Sequence, residues 1–421
     1  MRLTKEQKRI LDGQEGEILQ QAMIALVKYG TAMGAEEFIP VSSAHTFFFS
    51  PRAVAQYFPP RHVQLTEGYV TEFCEKLACI QVRAKTTIDP GAVDLNKWRQ
   101  MGASEDTYKL AKQATEICRR NGILANWTCI PYLEDNIPMI GEHCSWSESS
   151  ALIYCNSILG ARTNRDAGEA SFFSALLGIT PNWGMHLDEN RKGTHLIDVR
   201  CEMNTTSDWG ALGYFAGEVA GADIPVFINL MRPTVEEAKQ LGASLNVPGG
   251  AAMFHIAGVT PEAPTVEATF GGNVPMATYI FDESVKRRVY ESINHQPKGR
   301  VNMVFFGCPH LTLYEIKEIS RLIEGKHVAK DTRLWVMTTH SIRASAERLG
   351  YAQIIEDSGG DLFADGCLLS YYEYSDSEKP DLERVATDSI RQGIGARKSF
   401  GSNVFLGDTK RCIQVAIEGG V

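Results

Sequence analysis

The sequence is poor in the short motifs that assign a protein quickly. Its ten cysteines contain no C-x-x-C pair, which excludes zinc ribbons and thioredoxin-type redox sites. No G-x-x-x-x-G-K-[ST] occurs, so the glycine- and alanine-rich stretch at 209–222 is not a phosphate loop. No apolar run reaches about 18 residues, and no membrane span is expected. The first residues, MRLTKEQKRILDG, make a charged amphipathic start and not a signal peptide. Positive charge is short as well. The net charge of −9 speaks against a nucleic-acid surface. Low-complexity tracts and internal repeats are lacking. Cysteines without the spacing of a small disulfide scaffold point to a reducing compartment, so a cytoplasmic location is expected.

What is present is an ordinary globular composition, 44% hydrophobic and 22% charged. A chain of 421 residues buries several apolar layers and is expected to form α/β lobes, divided into 1–210 and 211–421. The densest chemistry lies at 128–165, TCIPYLEDNIPMIGEHCSWSESSALIYCNSILGARTNR. Apolar residues from Ala151 to Leu159 recur at helical spacing, which predicts a helix from 148–149 to Gly160. Glu142 and His143 precede it, with Glu148, Ser149 and Ser150 at its start and Asn156 and Ser157 within it. Arg162, Thr163, Asn164 and Arg165 follow on the exit loop. Two guanidiniums flanking two small polar residues suit a carboxylate or a phosphate, because guanidinium binds oxyanions in fork geometry. A capped helix with a charged turn is the plainer reading.

Elsewhere the pattern is α/β. Residues 15–29 place apolar side chains on one helical face, and Gly30 is expected to end that helix. FIPVSSAHTFFF reads as a buried strand, with Ser43 and His45 at or after its end. Residues 83–98 read as a loop, with Asp94 opening a short helix. Cys129 is placed at a strand end before a proline. His186, Asp188 and Arg191 share an acidic turn that lines a cleft or forms a surface network. From residue 223 strands and helices alternate: IPVFINL, then VEEAKQLGASL, then AAMFHIAGV carrying His255. NMVFFG, RLWVMTT and GGDLFADGCLLS continue the series, and Thr312 with Glu315 makes a capping box. Ser341 is expected to cap the helix after RLWVMTT. Such an order means doubly wound, mainly parallel sheets around a central cleft.

Cys129, Cys308 and Cys367 share one description, each on a turn beside Pro or Gly. Cys74, Cys79, Cys118 and Cys155 fall in helical apolar patterns and read as core. Three thiolates from three loops would hold an iron–sulfur cluster with one iron open. Widely separated single cysteines are a weak signal, and spacing alone favours three unrelated buried thiols.

The chain resembles the large subunit of aconitase X, a dehydratase branch of the aconitase superfamily. The resemblance is carried by Cys129-x-Pro131-Tyr132, Gly141-Glu142-His143, Trp146-x-Glu148-Ser149-Ser150 and the run from Asn156 to Arg165. His255-x-x-Gly258-x-Thr260-Pro261-Glu262-Ala263 extends it along the chain. The resemblance implies an aconitase-like α/β fold. It implies that Cys129, Cys308 and Cys367 hold a [4Fe–4S] or [2Fe–2S] cluster or a single iron. Glu142, His143, Glu148 and His45 are then candidates for moving protons or orienting the hydroxyl. Ser43, Ser149, Ser150, Asn156, Ser157, Arg162, Thr163, Asn164, Arg165, His186 and His255 are candidates for holding substrate. In aconitase-like enzymes an active serine comes from a swivelling domain. No convincing segment of that kind stands here, so a small swivel-domain subunit is expected as partner, and neither nucleic acid nor membrane. The expected substrate is a small hydroxy acid, first cis-3-hydroxy-L-proline and second mevalonate 5-phosphate. A non-catalytic iron–sulfur or RNA-binding relative is the alternative of another class. One departure stands out: the family's Asn-Ser-x-Lys reads Asp388-Ser389-Ile390-Arg391 here.

Overall fold

The computed structural model describes residues 1–47, 67–294, 299–369 and 381–421. Phe48 and Phe49 of the FIPVSSAHTFFF segment lie outside the described residues. Two compact units form. One comprises Met1–Gly91 with Glu105–Lys192, the other Ala92–Ser104 with Gly193–Val421. No described helix is long and apolar enough to cross a membrane.

In the first unit, α1 (Lys5–Leu11) starts at a capping box of Thr4 and Gln7. Helix α2 (Glu17–Ala32) buries Ile18, Leu19, Ala22, Met23 and Leu26, the face its spacing predicts. Gly30 does not end it. It lies inside the helix, where a Cβ would stand 2.6 Å from Met1 Sδ and 2.9 Å from Pro181 Cβ. The glycine is needed for close approach and not for a turn.

The expected strand at 38–49 is two short ones, β1 (Phe38–Pro40) and β2 (Ser43–Thr46). Ser43 and His45 therefore sit within a strand and not at its end. After α3 (Glu67–Leu77) comes β3 (Lys85–Ile88), a strand where composition suggests a loop. Next come α4 (Glu105–Asn121), β4 (Cys144–Trp146), α5 (Ser149–Ser157), α6 (Gly168–Leu177) and β5 (Ile179–Pro181). Strand β2 is the centre of a parallel sheet, with His45 level with Thr87 on β3 and with Trp146 on β4. Strands β1 and β5 pair antiparallel. The apolar core gathers α2, α4 and α6 around Met23, Leu26, Ile117, Phe172 and Leu176. No strand precedes Cys129. The 124–128 stretch meets β3 through one bridge, Thr87 with Leu124, and through the amide of Thr128 donating to Ile88 O at 2.9 Å.

In the second unit, β6 (His195–Val199), α7 (Thr206–Ala220), β7 (Pro225–Ile228), α8 (Val235–Leu245), β8 (His255–Ile256), α9 (Val266–Thr269), β9 (Ala277–Phe281) and α10 (Glu283–Ile293) build one lobe. Its parallel sheet has the order β8-β7-β6-β9. The strand expected at 251–259 shrinks to two residues. The other lobe holds β10 (Met303–Phe306), α11 (Leu313–Ile323), β11 (Arg333–Thr338), α12 (His340–Arg348), α13 (Tyr351–Asp357) and β12 (Asp361–Ala364). Strand β13 (Arg384–Thr387), α14 (Ile390–Phe400), β14 (Asn403–Leu406) and α15 (Thr409–Glu418) complete it. Its sheet, β12-β11-β10-β13-β14, is parallel throughout. Thr312 and Glu315 form the expected capping box, whereas Thr339 and not Ser341 caps α12. Asp94 opens a turn and no helix. Its carboxylate accepts from the amides of Asn96, Lys97 and Ala364 and pairs with Arg343 Nη1 at 2.6 Å.

The glycines of α7 let α8 lie against its backbone. A Cβ on Gly213 would stand 2.2 Å from Leu241 O, and one on Gly217 2.4 Å from Leu245 O. Gly213→Ala is accordingly expected to cost about 1–3 kcal/mol by overpacking, although alanine is the better helix former. Urea unfolding measures it, and an unchanged midpoint would remove the close packing as a stabilising feature.

Candidate active site

The site stretch is built on backbone pairing between two loops. Arg162 N donates to Glu142 O, Cys144 N to Arg162 O and Gly141 N to Gly160 O, each at 2.8 Å. His143 and Arg162 thus lie side by side as a bridge. The carboxylate of Glu142 accepts from the amide of Met139 at 2.7 Å and from Ser42 Oγ at 3.3 Å. Glu148 is the N-cap of α5. It accepts from the amides of Ser150 and Ala151 and from the hydroxyls of Ser150 and Ser149. A carboxylate at a helix start is favoured by the aligned peptide dipoles.

The arginine loop is held from beneath. Asn156 receives Thr163 N on Oδ1 and donates Nδ2 to Thr163 O, both at 2.9 Å. Thr163 Oγ1 accepts from the amide of Trp146 at 2.9 Å. Asn164 binds the amide of Met185 and the carbonyl of Trp183. Thr163, Asn164, Asn156 and Ser157 are buried, and the bonds of the first three shape the loop. Arg162 donates to His186 O at 3.0 Å and pairs with Asp188. Arg165 is exposed at the loop's end.

His143 and His186 face each other, Nδ1 to Nδ1, at 3.0 Å. Burial lowers the pKa of both, reinforced by the guanidiniums of Arg162 and Arg191, and carries His186 down to about 3. His45 is fully buried. Its Nδ1 bonds Thr87 Oγ1 at 2.9 Å, its Nε2 is 3.6 Å from Asp89 Oδ1, and desolvation takes its pKa down to about 4. Ser43 Oγ accepts from Trp146 Nε1 at 3.1 Å, joining β2 to β4. His255, in the other unit, is buried on β8.

Two anchors were not singled out from the sequence. Asp166 is buried and accepts from Tyr29 OH at 2.7 Å and Ser145 Oγ at 3.1 Å. Burial raises its pKa to about 6. Lys239, fully buried on α8, donates to His310 O at 2.7 Å and pairs with Glu315 at 2.5 Å. Nothing in the amphipathic pattern around Lys239 distinguishes it from a surface lysine.

Cys308 and Cys367 lie on turns at the carboxyl ends of β10 and β12, which flank β11. His310 Nε2 meets Gly366 O at 2.8 Å and so ties one turn to the other. The carbonyl of Cys308 accepts from Ser389 Oγ at 2.5 Å. Cys129, Cys308 and Cys367 are each half-buried. Burial pushes up the thiols of Cys74, Cys118, Cys155, Cys201 and Cys412. Within either unit, no three His, Cys, Asp or Glu side chains of the described residues gather as a metal-binding set.

Asp166 gives a pH test. Its folded pKa lies above the unfolded value of 3.8, so the folded state holds the proton more tightly. Stability from this group is full below about 4, is lost as pH rises to about 6, and is level beyond. The loss is on the order of 3 kcal/mol. Asp166→Asn is expected to remove that slope from urea unfolding measured between pH 4 and 7. Equal slopes in both proteins would exclude it.

Comparison with known proteins identifies the family. Three family descriptions match in succession: Aconitase X first domain over residues 1–189, second domain over 193–291 and third domain over 301–418. The phosphomevalonate dehydratase large subunit of Methanocaldococcus jannaschii is 35% identical over 423 residues, covering 98% of this chain and 100% of that protein. The cis-3-hydroxy-L-proline dehydratase of Pseudomonas aeruginosa is 28% identical over 424 residues, covering 99% of this chain and 70% of that protein. The crystal structure of Thermococcus kodakaraensis aconitase X (holo-form) superposes with a TM-score of 0.83 at 34% identity, covering 99% and 100% of the two chains. The chain belongs to the aconitase X family of dehydratases.

Proposed function

We propose that the chain is the large subunit of an iron-dependent hydro-lyase that removes water from a small hydroxy acid. The observation that carries this is the pairing of residues 142–144 with 160–162. It brings the residues Glu142, His143 and Arg162, a carboxylate, an imidazole and a guanidinium, onto two paired stretches. Elimination needs such a set: a group to take the proton beside a carboxylate, donors for the leaving hydroxyl, and cations for the acid group. Arg165, exposed at the loop end, takes the anionic group, while Arg162 is oriented by Asp188 and His186 O. Glu142 and His143 act on protons and oxygen. Glu148 fixes the start of α5 and aims Ser149 and Ser150. His45, wholly buried, holds β2 to β3 beneath the site.

Mevalonate 5-phosphate becomes the leading substrate, supported by end-to-end likeness to relatives named for phosphomevalonate at 34–35% identity. Cis-3-hydroxy-L-proline, first by the motif resemblance, remains the second reading through relatives at 27–28%. The words "large subunit" in those relatives' names support a small partner, here the expected swivel-domain subunit. The cysteine usage supports the cytoplasm.

The chemistry of the donor set fits iron. Cys129, Cys308 and Cys367 are half-buried thiols on turns, and two of those turns are tied together by His310. When bound, an iron–sulfur cluster or single iron would supply a Lewis acid for the leaving hydroxyl. Ser389, Lys239 and His310 hold the Cys308 turn for it.

Cys129→Ser, Cys308→Ser and Cys367→Ser are each expected to lose bound iron and turnover, while Cys118→Ser keeps both. Iron analysis decides, and iron retained in all three would sink the assignment. The arginines separate by kinetics. Arg165→Lys keeps the charge but loses the fork, so KM is expected to rise on the order of tenfold at normal thermal stability. Arg162→Lys, which also loosens Asp188, is expected to lower the melting temperature as well. Normal KM in a stable Arg165→Lys protein would take Arg165 out of the site.

A further inference from the structure

His143 and His186, both in the first unit, share one hydrogen bond and so a question of proton placement. The Nδ1 atoms of His143 and His186 are 3.0 Å apart, a hydrogen-bond distance with one proton between them. Both rings are held neutral at pH 7 by burial and by the guanidiniums nearby. Two arrangements satisfy the contact. In one, His143 donates from Nδ1, and His186 must carry its own proton on Nε2. In the other, His186 donates from Nδ1, and its Nε2 is a bare lone pair.

His186 Nε2 decides between them. It is buried and has no hydrogen-bond partner among the described residues. His186 itself is 2% exposed. A buried N–H without an acceptor is among the rarest groups in folded proteins, and an acceptor left short is better tolerated. The positive charges of Arg162 and Arg191 keep this ring neutral, so the choice lies between its two neutral tautomers. Arg162 also donates to His186 O, which fixes the residue's backbone under His143.

We propose that His186 is a positioning residue: it donates its Nδ1 proton to His143 Nδ1 and thereby presents His143 as a neutral imidazole protonated on Nε2. His143, half-buried at the edge shared with Arg162, is then a hydrogen-bond donor to a substrate oxygen and not a base. Proton removal falls to another group. This deepens the dehydratase reading above and rests on it for the word substrate. The proton placement itself does not depend on that reading.

The test is imidazole nitrogen NMR on the full chain labelled with 15N-histidine at pH 7, with His143→Gln and His186→Asn used for assignment. The expected spectrum has a proton-bearing Nε2 and a lone-pair Nδ1 for His143, with the reverse pattern for His186. A proton on Nδ1 of His143 overturns the proposal, whatever the activity. His186→Asp offers only acceptors and is expected to move the His143 proton to Nδ1. With mevalonate 5-phosphate and the chain paired with its small subunit, kcat should fall by about tenfold or more, and KM by less than about threefold in either direction. His186→Asn, which retains an N–H near the same place, should keep both the tautomer and most of kcat. Equal kcat in the two variants overturns the positioning role. No dehydration of either hydroxy acid by the wild-type complex would remove the functional reading and leave the proton placement standing.

Discussion

A buried guanidinium holds the site stretch in shape. Arg191 is 1% exposed and donates to four oxygens: Asn156 Oδ1, Asn156 O, Met185 O and Ala161 O. A charge removed from water must be met by strong acceptors or it is prohibitively costly. Those four acceptors belong to the end of α5, the start of the arginine loop and the 184–191 turns. Satisfying the cation therefore fixes three chain segments at once. Asn156 repeats the device on a smaller scale by gripping both backbone groups of Thr163. Gly184 completes it. With φ at 57°, a Cβ there would stand 2.3 Å from Asn164 Oδ1, so only glycine lets that amide reach its two backbone partners.

The same cation sets the electrostatics. Arg191 and Arg162 both bear on His143 and His186, and both act against the imidazolium form. A stretch rich in histidine is thus kept neutral near pH 7, in the condition where imidazole can donate or accept without carrying charge. Asp188 opposes this at His143 but is exposed, so its effect is weakened by water.

How legible was this in the sequence? Helices with caps were readable. The face of α2 and the capping box at Thr312 appear where spacing places them, because a helix carries its signal in a local repeat. Short strands were not. Strand β2 has four residues and β8 two, too few for a period of two to declare itself. Edge strand β9, with exposed Thr278 and Ile280, gave no buried run to recognise. The polar residues of 142–165 were found as a group, through the density of their chemistry. Their division of labour was hidden. That Glu148 caps the helix and that Asn156 grips Thr163 are local facts that residue type alone did not separate from a substrate role, whereas the place of Arg191 depends on bonds to Asn156 and Ala161, 30–35 residues away. Gly30 shows the same limit, since a helix-stopping glycine and a close-packing glycine look identical in a string of letters.

The short strands explain why buried polar side chains recur at the turns of each unit. A strand of three or four residues with few ladder bonds specifies the direction of the chain beyond it only loosely. In the first unit the carbonyl of His45 on β2 is held by Ser147, just past β4, and by Ser171 of α6, whose hydroxyls both donate to it at 3.0 Å. In the second, the turn after β10 lies where the sheet order reverses between β10 and β13, a place where open α/β sheets expose a crevice. There Ser389 and Lys239 grip the 308–310 backbone, and the His310 ring ties it to the carbonyl of Gly366. Each grip satisfies a buried carbonyl or cation that would otherwise be costly, so stability and placement come from the same bonds. The Asp388 carboxyl beside this turn, raised to about 7 by burial, receives Thr409 Oγ1 at 2.7 Å and feels Glu315 and Lys239. An asparagine there would carry no such titration. The Asp-for-Asn departure thus changes the charge beneath the Cys308 turn while leaving the bonds of Ser389 to hold its shape.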